Sequence, residues 1–433
     1  MHGQLTGLSA ERFARLFARL GPFEPRPVVV VAVSGGPDSL ALTLLLDEWA
    51  GHRGARIEAI TVDHALRPES AEEADQVGRW LGGCANTRHT VLRWIDAKPA
   101  QGLQEAARNA RYRLLTEHCR ANGFLHLCLA HHLDDQIETR AMRAARQSTP
   151  YGLAGMSAIH EWNGVRLLRP LLGISKKELK ETLVTRGQPW IEDPSNRNPS
   201  FERARLRNCA ATIGRAEALT ALHRAGLERR RLEGESAARL CDALQLHEAG
   251  WATIDGAAFG EDDASALAFA RLLRAIGGTE FLLDPARRLE GLARIRRPGF
   301  SGFTLGGCYI IPWGGRLLVC RDWGAIAGPV PIPPSRSLLW DRRFALHLPA
   351  ELPADGTFTI ARLGESGIRQ LGQATERPQM EGEGVPLPAR KALPTLWRGE
   401  RLVAVPHLGF GPPLGVRFRP INAATSSGFT VAY

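Results

Sequence analysis

A strand, a glycine-containing loop and a helix follow one another directly between residues 28 and 49 of this 433-residue chain. The β-branched run V-V-V-V-A-V (28–33) predicts a strand that is buried on both faces. The segment L-A-L-T-L-L-L-D-E-W (40–49) predicts a helix. Backbone amides in a loop that opens a helix bind phosphate groups. We therefore predict a phosphate site formed by the intervening residues, which are Ser34, Gly35, Gly36, Pro37, Asp38 and Ser39.

The kind of loop limits the chemistry. No lysine follows the glycines as it does in a Walker A loop, and the spacing is not that of a dinucleotide-binding fingerprint. Such a loop is better suited to holding the departing pyrophosphate of ATP than to transferring the γ-phosphoryl group. Asp38 lies within the loop and is a candidate Mg²⁺ ligand. The alternative is that Asp38 and Ser39 only cap the helix.

Strands and helices alternate over the next hundred residues. Predicted strands cover 56–62, 90–95 and 125–130, and predicted helices cover 69–81, 103–120 and 134–146. This alternation predicts an α/β fold with a doubly wound parallel sheet. Ligands of such sheets bind at the carboxyl ends of the strands. We therefore expect the loop, Asp63-His64 and His131-His132 to converge at one edge.

The segment after the fourth strand concentrates polar side chains. A helix through this segment would place four of them on one face by their spacing, namely His131, Asp134, Asp135 and Glu138. Imidazole and carboxylates in this arrangement can bind a metal, orient an ammonium group or accept a proton. The alternative is a charge-rich first turn that the helix dipole stabilises.

Composition narrows the class of protein. The formal charge of +10 favours a polyanionic partner, although an arginine-rich solvated surface explains it equally well. The seven cysteines form no Cys-x-x-Cys pair, which argues against a disulfide framework or a zinc or iron–sulfur site. The N-terminus lacks the apolar core of a signal peptide, and no apolar run is long enough to cross a bilayer. We expect a cytoplasmic protein without a membrane segment.

The predicted secondary structure changes in character twice along the chain. We predict an α/β domain over 1–215, a helical region over 216–299 and a β-rich C-terminal region over 300–433. The last region contains short apolar strands separated by Gly and Pro, as in F-T-L-G-G-C-Y-I-I-P-W and R-L-L-V-C.

The loop S-G-G-P-D-S resembles the PP-loop of N-type ATP pyrophosphatases, which have a Rossmann-like sheet. Within that group the chain resembles the tRNA(Ile)-lysidine synthetases, collinearly over about residues 28–210. The segments that carry the resemblance are T-V-D-H-A-L-R-P-E-S (61–70), E-A-A-R-N-A-R-Y (105–112), A-H-H-L-D-D-Q-I-E-T (130–139), L-R-P-L-L-G-I-S-K-K-E-L and W-I-E-D-P-S-N-R-N-P-S-F-E-R-A-R-L-R (190–207). The sequence departs from the family in R-Q-S-T-P-Y-G-L-A-G-M (146–156), where Gln147 and Thr149 replace small residues.

The resemblance implies a two-step reaction. ATP adenylates the C2 oxygen of the wobble cytidine in a tRNA(Ile) with a CAU anticodon, and free L-lysine then displaces AMP. It implies ATP and Mg²⁺ as co-substrate and cofactor, and Asp38, Arg111, His132 and Asp135 as catalytic residues. Arg111 would reach the ATP α-phosphate or the anticodon base, and His132 or Asp135 would accept a proton from lysine. Contacts with lysine or tRNA would come from Asp63, His64, Arg108, Glu138, Asn196 and Arg205.

Two other functions stay open at this point. A related tRNA thiolase commonly needs paired cysteines, which this sequence lacks. A non-catalytic tRNA-binding module of the same fold is the other, and the intact S-G-G-P-D-S loop speaks against it. The sequence leaves the oligomeric state undetermined.

Overall fold

The computed structural model describes residues 7–67, 69–146, 148, 151–162, 164–192, 215–352, 355, 357–373, 384–425 and 428–431. The chain divides into two compact units. The first comprises Met1–Arg231 together with Ser427–Tyr433, and the second comprises Leu232–Ser426. The predicted boundaries near 215 and 300 stay a prediction.

The first unit is built on a six-stranded sheet. Its strands are β1 (Val28–Ala32), β2 (Arg56–Asp63), β3 (Thr87–Arg93), β4 (His126–Cys128), β5 (Ile159–Trp162) and β6 (Val165–Leu168). They lie in the order β3-β2-β1-β4-β6-β5, and every neighbouring pair is parallel except β5 with β6. The predicted parallel α/β sheet is confirmed.

Helices accompany these strands. They are α1 (Ala10–Ala18), α2 (Pro37–Arg53), α3 (Ser70–Leu81), α4 (Leu103–Ala121), α5 (Leu133–Ala145) and α6 (Lys176–Thr185). Most lie within a few residues of the bounds that the sequence predicts. Helix α5 begins at Leu133, within one residue of its predicted start, and therefore excludes His131. The prediction that His131 shares a helical face with Asp134 is wrong.

Alternate residues of β1 explain why the sheet is covered on both faces. Val29 and Val31 pack into one apolar cluster with α1, α2 and α6, whereas Val30 packs into another with Leu115 and Leu127. A strand buried on both sides has no polar face, which is why its sequence is continuously apolar. Helix α2 fits beneath it because ten of its residues are buried and Pro37 occupies its first turn, where the missing N–H is not needed.

The second unit combines helices with short antiparallel strands. Helix α7 (Arg215–Ala243) contains the point at which the two units divide. It is followed by β7 (Leu244–Leu246), β8 (Ala252–Ile254), α8 (Asp263–Gly277), α9 (Pro285–Ile295), β9 (Phe303–Leu305), β10 (Cys308–Trp313), β11 (Arg316–Arg321), β12 (Val330–Pro331), β13 (Ser337–Trp340), β14 (Phe344–His347), β15 (Phe358–Arg362), α10 (Gly364–Gln373), α11 (Leu387–Arg390), β16 (Pro394–Arg398), β17 (Arg401–Ala404) and β18 (Gly415–Phe418).

These strands form three sheets, in the orders β7-β8-β11-β10-β9, β12-β15-β16-β17 and β13-β14-β18. The β-rich character predicted beyond residue 300 is confirmed. The sequence did not predict that β7 and β8 pair with this region, nor that α9 forms. Among the described residues, no helix is both long and apolar enough to cross a membrane.

Candidate active site

The carboxyl ends of the parallel strands bring polar residues to one edge of the first unit. Ser34 follows β1, His64 follows β2, His131 follows β4 and Arg169 follows β6. Strands that run parallel and adjacent end on the same side, so these residues share a crevice edge although up to 135 positions separate them in sequence.

The glycine loop presents backbone donors at this edge. Gly36 is the N-cap of α2 and has no side chain with which to cap the helix, so the first amides of α2 have no intrahelical acceptor. The hydroxyl of Ser39 braces the turn, because it accepts from the Ser34 N–H at 3.1 Å and donates to the Gly36 carbonyl at 3.0 Å. The open amides and the helix dipole together favour an anion.

Asp38 is surrounded by positive groups rather than capping the helix. Its Oδ2 lies 3.5 Å from Nε2 of His132 and 3.6 Å from Nζ of Lys176. Its Oδ1 is buried and has no hydrogen-bond partner among the described residues. A buried carboxylate oxygen without a donor is an oxygen that a cation can use, and Mg²⁺ takes one or two carboxylates together with substrate phosphates.

His132 is held among three carboxylates. Besides Asp38, it lies 3.5 Å from Asp134 and 3.6 Å from Asp135, and its backbone N–H donates to Asp135 at 3.0 Å. Burial lowers its pKa, but these carboxylates outweigh burial and raise the pKa to about 9. His132 is therefore protonated at neutral pH. A protonated imidazole stabilises negative charge and has no free lone pair with which to remove a proton.

A second group of residues is basic. Arg108 and Arg111 on α4 lie over the ring of Tyr112, with centroid distances of 5.1 and 5.7 Å. His131 is half-buried beside them, and desolvation together with Arg169 and Arg108 lowers its pKa to about 3. His131 is therefore neutral under physiological conditions, in contrast to its neighbour His132.

Asp63 faces inward. Its Oδ1 accepts from the Ser70 hydroxyl at 2.6 Å and from the Ala65 N–H at 2.8 Å, and Arg93 lies 3.6 Å from Oδ2. Burial raises its pKa, but these contacts outweigh burial and hold the pKa below its usual value. The carboxylate thus braces the turn at Ala65, where φ is +50°. Burial and the nearby Arg111 guanidinium both lower the pKa of His64, and they outweigh Asp63.

The turn after α5 is held by side chains of that helix. Gln136 bonds both backbone groups of Met156, accepting from the N–H at 2.6 Å and donating to the carbonyl at 3.0 Å. Gly155 has φ +72°, and an added Cβ would lie 2.5 Å from Gln136 Oε1. Arg143 donates to the carbonyls of Gly152 and Gly155. The glycines of the G-L-A-G-M turn are thereby explained, whereas Gln147 and Thr149 lie outside the described residues.

Glu138 is buried on α5, one turn beyond Asp134 and Asp135. Asn196 and Arg205 lie outside the described residues.

Comparison with known proteins decides the family. Residues 8–212 match the family described as the PP-loop domain. The tRNA(Ile)-lysidine synthase of Ruegeria pomeroyi is 34% identical over 88% of both chains. That of Orientia tsutsugamushi is 30% identical over 92% of this chain and 93% of that protein. The chain belongs to the tRNA(Ile)-lysidine synthase family.

Identity with this family is higher where the match is shorter. The tRNA(Ile)-lysidine synthase of a Bradyrhizobium strain is 46% identical, over 48% of this chain and 57% of that protein. The chain therefore spans a little over half the length of that relative. Among solved structures, a U34-tRNA thiolase from Methanococcus maripaludis aligns with 50% of this chain and 77% of that chain, at 15% identity and a TM-score of 0.42.

Sequence reasoning missed two site residues of this lysidine synthase family member. Lys176 begins α6, where its backbone N–H donates to Asp134 at 2.8 Å and its ammonium lies beside Asp38. Arg169 follows β6 directly. Both belong to the segment L-R-P-L-L-G-I-S-K-K-E-L, whose position after a parallel strand was the available signal.

Proposed function

We propose that this chain ligates L-lysine to C2 of the wobble cytidine in tRNA(Ile) with a CAU anticodon, through an adenylated tRNA, giving lysidine. The observation that carries the proposal is the juxtaposition of Asp38, His132 and Lys176 at the opening of α2. This arrangement occurs in a chain that matches proteins named tRNA(Ile)-lysidine synthase over nearly their full length.

The loop would hold the departing pyrophosphate. The first amides of α2, the ammonium of Lys176 and the protonated imidazole of His132 supply positive charge around it. The buried, unpartnered Oδ1 of Asp38 fits a Mg²⁺ ligand, and the ion would neutralise charge on the polyphosphate.

Arginine would stabilise the first transition state. The C2 oxygen of cytidine attacks the α-phosphorus, the bond to the β-phosphate breaks, and negative charge builds on the α-phosphoryl oxygens. We assign Arg111 to these oxygens and Arg108 and His64 to the nucleotide beside them, because a planar guanidinium matches phosphate geometry.

Carboxylates would receive the lysine. The ε-ammonium has an ordinary pKa near ~10.4 and must lose a proton before its nitrogen attacks C2 and AMP leaves. Asp135 and Glu138 would attract the ammonium, and Asp135 is the better proton acceptor because His132 already carries its proton. Asp63 would act indirectly, by shaping the turn that positions His64.

The rest of the chain would bind tRNA. The formal charge of +10 suits a polyanion, and we assign phosphate and shape recognition to the helical region (216–299) and the β-rich region (300–433). Asn196 and Arg205 remain proposed tRNA contacts. We place the reaction in the cytoplasm, where tRNA, ATP and lysine are available together.

The test combines product analysis with one substitution. The chain is incubated with ATP, Mg²⁺, L-lysine and tRNA(Ile), and we expect pyrophosphate release and a nucleoside whose mass equals cytidine plus lysine minus water. Asp38→Asn should lower the rate by about 10²-fold or more, since one charged contact at the reacting phosphates is lost.

Asp47→Asn is the matched control, because Asp47 lies on the same helix and bonds Asn86 and Thr87 away from the loop. It should retain the wild-type rate. Binding of tRNA without pyrophosphate release, or a sulfur-containing product, would contradict the proposal.

A further inference from the structure

Arg169 is a buried cation fixed at the carboxyl edge of the sheet. Its backbone N–H donates to the Ala158 carbonyl at 2.9 Å, and its Nη1 donates to the Ser157 carbonyl at 2.8 Å. Only 9% of the residue is exposed. The side chain is therefore held in one place by the segment that follows α5, and it does not swing into solvent.

Besides the hydrogen bond with the Tyr112 hydroxyl, Arg169 keeps one buried donor without a partner among the described residues. Its Nε is buried and has no hydrogen-bond partner, and in the part of the chain that the structure describes no carboxylate pairs with the guanidinium. An unpartnered buried N–H on a charged group is costly unless a ligand completes it. The side chain thus points to an anion that joins the site during the reaction.

The groups around Arg169 indicate which kind of anion it binds. The Tyr112 hydroxyl lies next to the Arg169 guanidinium, and Arg108 Nη2 lies 3.5 Å from the same hydroxyl. Arg111 lies over the Tyr112 ring. Three guanidinium groups converge on one phenol, and the half-buried His131 beside them has a buried Nδ1 without a partner among the described residues. Guanidinium forks of this kind match the oxygens of a phosphate group.

We infer that Arg169 binds a phosphate group of the reacting nucleotides, either the α-phosphate of ATP or the backbone phosphate of the tRNA nucleotide that enters the site. The inference rests on the proposed function. It adds a binding residue at the end of β6, a strand that neither carries nor directly precedes any of the site residues predicted from the sequence.

Two substitutions and a control test it. Arg169→Met removes the charge at similar volume, and Arg169→Lys keeps the charge without the fork. Arg166→Met is the control, since Arg166 lies on the strand that Arg169 follows and donates to the carbonyls of Leu20 and Pro22 instead. Pyrophosphate release is measured with ATP and tRNA varied separately, and tRNA binding is measured across a range of salt concentrations.

A contact with the tRNA backbone predicts that Arg169→Met weakens tRNA binding about 10-fold and reduces the slope of log Kd against log salt by ~0.7–0.9, while Arg169→Lys keeps the slope. A contact with the ATP α-phosphate predicts a loss of ~10²–10³ in kcat with tRNA binding and its salt slope unchanged. Either result supports the inference.

An Arg169→Met enzyme that matches Arg166→Met, with a lowered unfolding temperature but wild-type kcat and tRNA binding, would overturn it. If the wild-type chain itself releases no pyrophosphate, the proposed function fails instead. The two failures are therefore distinguishable.

Discussion

The two glycines of the phosphate loop have different duties. Gly35 has φ +81°, and an added Cβ would lie 2.8 Å from Ile191 and 3.0 Å from Val77. Its carbonyl also accepts from the Ile191 N–H at 2.9 Å. At Gly36 an added Cβ would meet, within the described part of the chain, only Ser34 Oγ, at 3.6 Å. Gly35 is required by the fold, whereas Gly36 leaves room that the fold itself does not use.

We expect Gly36→Ala to separate binding from folding. The methyl group should weaken ATP binding at least ~10-fold because it occupies the surface that a phosphate approaches, while unfolding free energy falls by about 1 kcal/mol or less. Gly35→Ala should lower the unfolding free energy by about 1–3 kcal/mol, since alanine disfavours this φ. Denaturant titration and ATP titration of both variants check this. If Gly36→Ala binds ATP with wild-type affinity, the loop does not form the phosphate site.

The two adjacent histidines should respond oppositely to pH. The pKa of His132 is raised to about 9, so its contribution to stability is complete below the unfolded pKa of ~6.5 and is lost as pH rises through 9. The advantage of wild type over His132→Gln should therefore shrink by on the order of 2–3 kcal/mol between pH 6.5 and 9.

His131 supplies the opposite sign. Its pKa is lowered to about 3, so the folded state resists its protonation and loses stability as pH falls from ~6.5 toward 3. His131→Gln should relieve acid lability and change nothing above pH 7. Unfolding free energies of wild type, His132→Gln and His131→Gln are measured from about pH 4 to about pH 9.5, on both sides of the free-histidine pKa of ~6.5. These measurements check both signs. If the unfolding free energies of the two variants change with pH in the same way, the carboxylates do not hold His132 charged.

At the scale of the element, local patterns predicted more than long-range contacts did. The strand β1, the loop and α2 were predictable because hydrophobicity, glycines and Pro37 all lie within 26 residues. The residues just before α5 were harder to predict. His132 has the spacing of a helical residue, but as the N-cap of α5 it adopts an extended backbone with ψ near −177°. Such caps depend on φ and ψ, which residue spacing does not determine.

Lys176 and Arg169 were not predicted as site residues because nothing local distinguishes them. Lys176 is one of two consecutive lysines, and only the packing of α6 brings it to Asp38, 138 positions away. Arg166 lies within β6 and Arg169 directly after it, yet their side chains bond different parts of the first unit. Sheet order and strand direction decide which arginine meets the site.

Helix α5 joins the two parts of the site. Its N-terminal end carries Asp134 and Asp135 around His132, and its later turns bind the turn at 152–156 through Gln136 and Arg143. That turn leads directly into Ser157, whose carbonyl holds Arg169. One helix therefore fixes the acidic and the basic groups at the same edge.

At the scale of the whole molecule, the end of the described chain belongs to the catalytic unit. Residues 428–431 return to it after the entire second unit. The Thr430 carbonyl accepts from Ala158 N–H at 2.9 Å, and its N–H donates to the Ser157 hydroxyl at 3.0 Å. These are the two residues that also hold Arg169. A segment that the sequence analysis assigned to the C-terminal region thus supports the two residues that position Arg169.

Phe429 is the apolar anchor of this return. It is 5% exposed, and Arg229 lies over its ring at 4.5 Å and over the ring of Tyr151 at 4.1 Å. Phe429→Ala should destabilise the first unit by about 3 kcal/mol, because a buried aromatic side chain is replaced by a cavity. Phe281→Ala is the control, since Phe281 is 78% exposed in the second unit and should change stability by less than ~0.5 kcal/mol.

The measurement must report on the correct unit. ATP stabilises whichever unit binds it, so the thermal transition that ATP shifts upward belongs to the catalytic unit. Phe429→Ala should lower that transition and leave any ATP-insensitive transition in place. It should also lower the rate of pyrophosphate release, because Ser157 and Ala158 lose the segment that holds them against Arg169. If instead only the ATP-insensitive transition falls, the C-terminal segment supports the second unit, and the positioning of Arg169 does not depend on it.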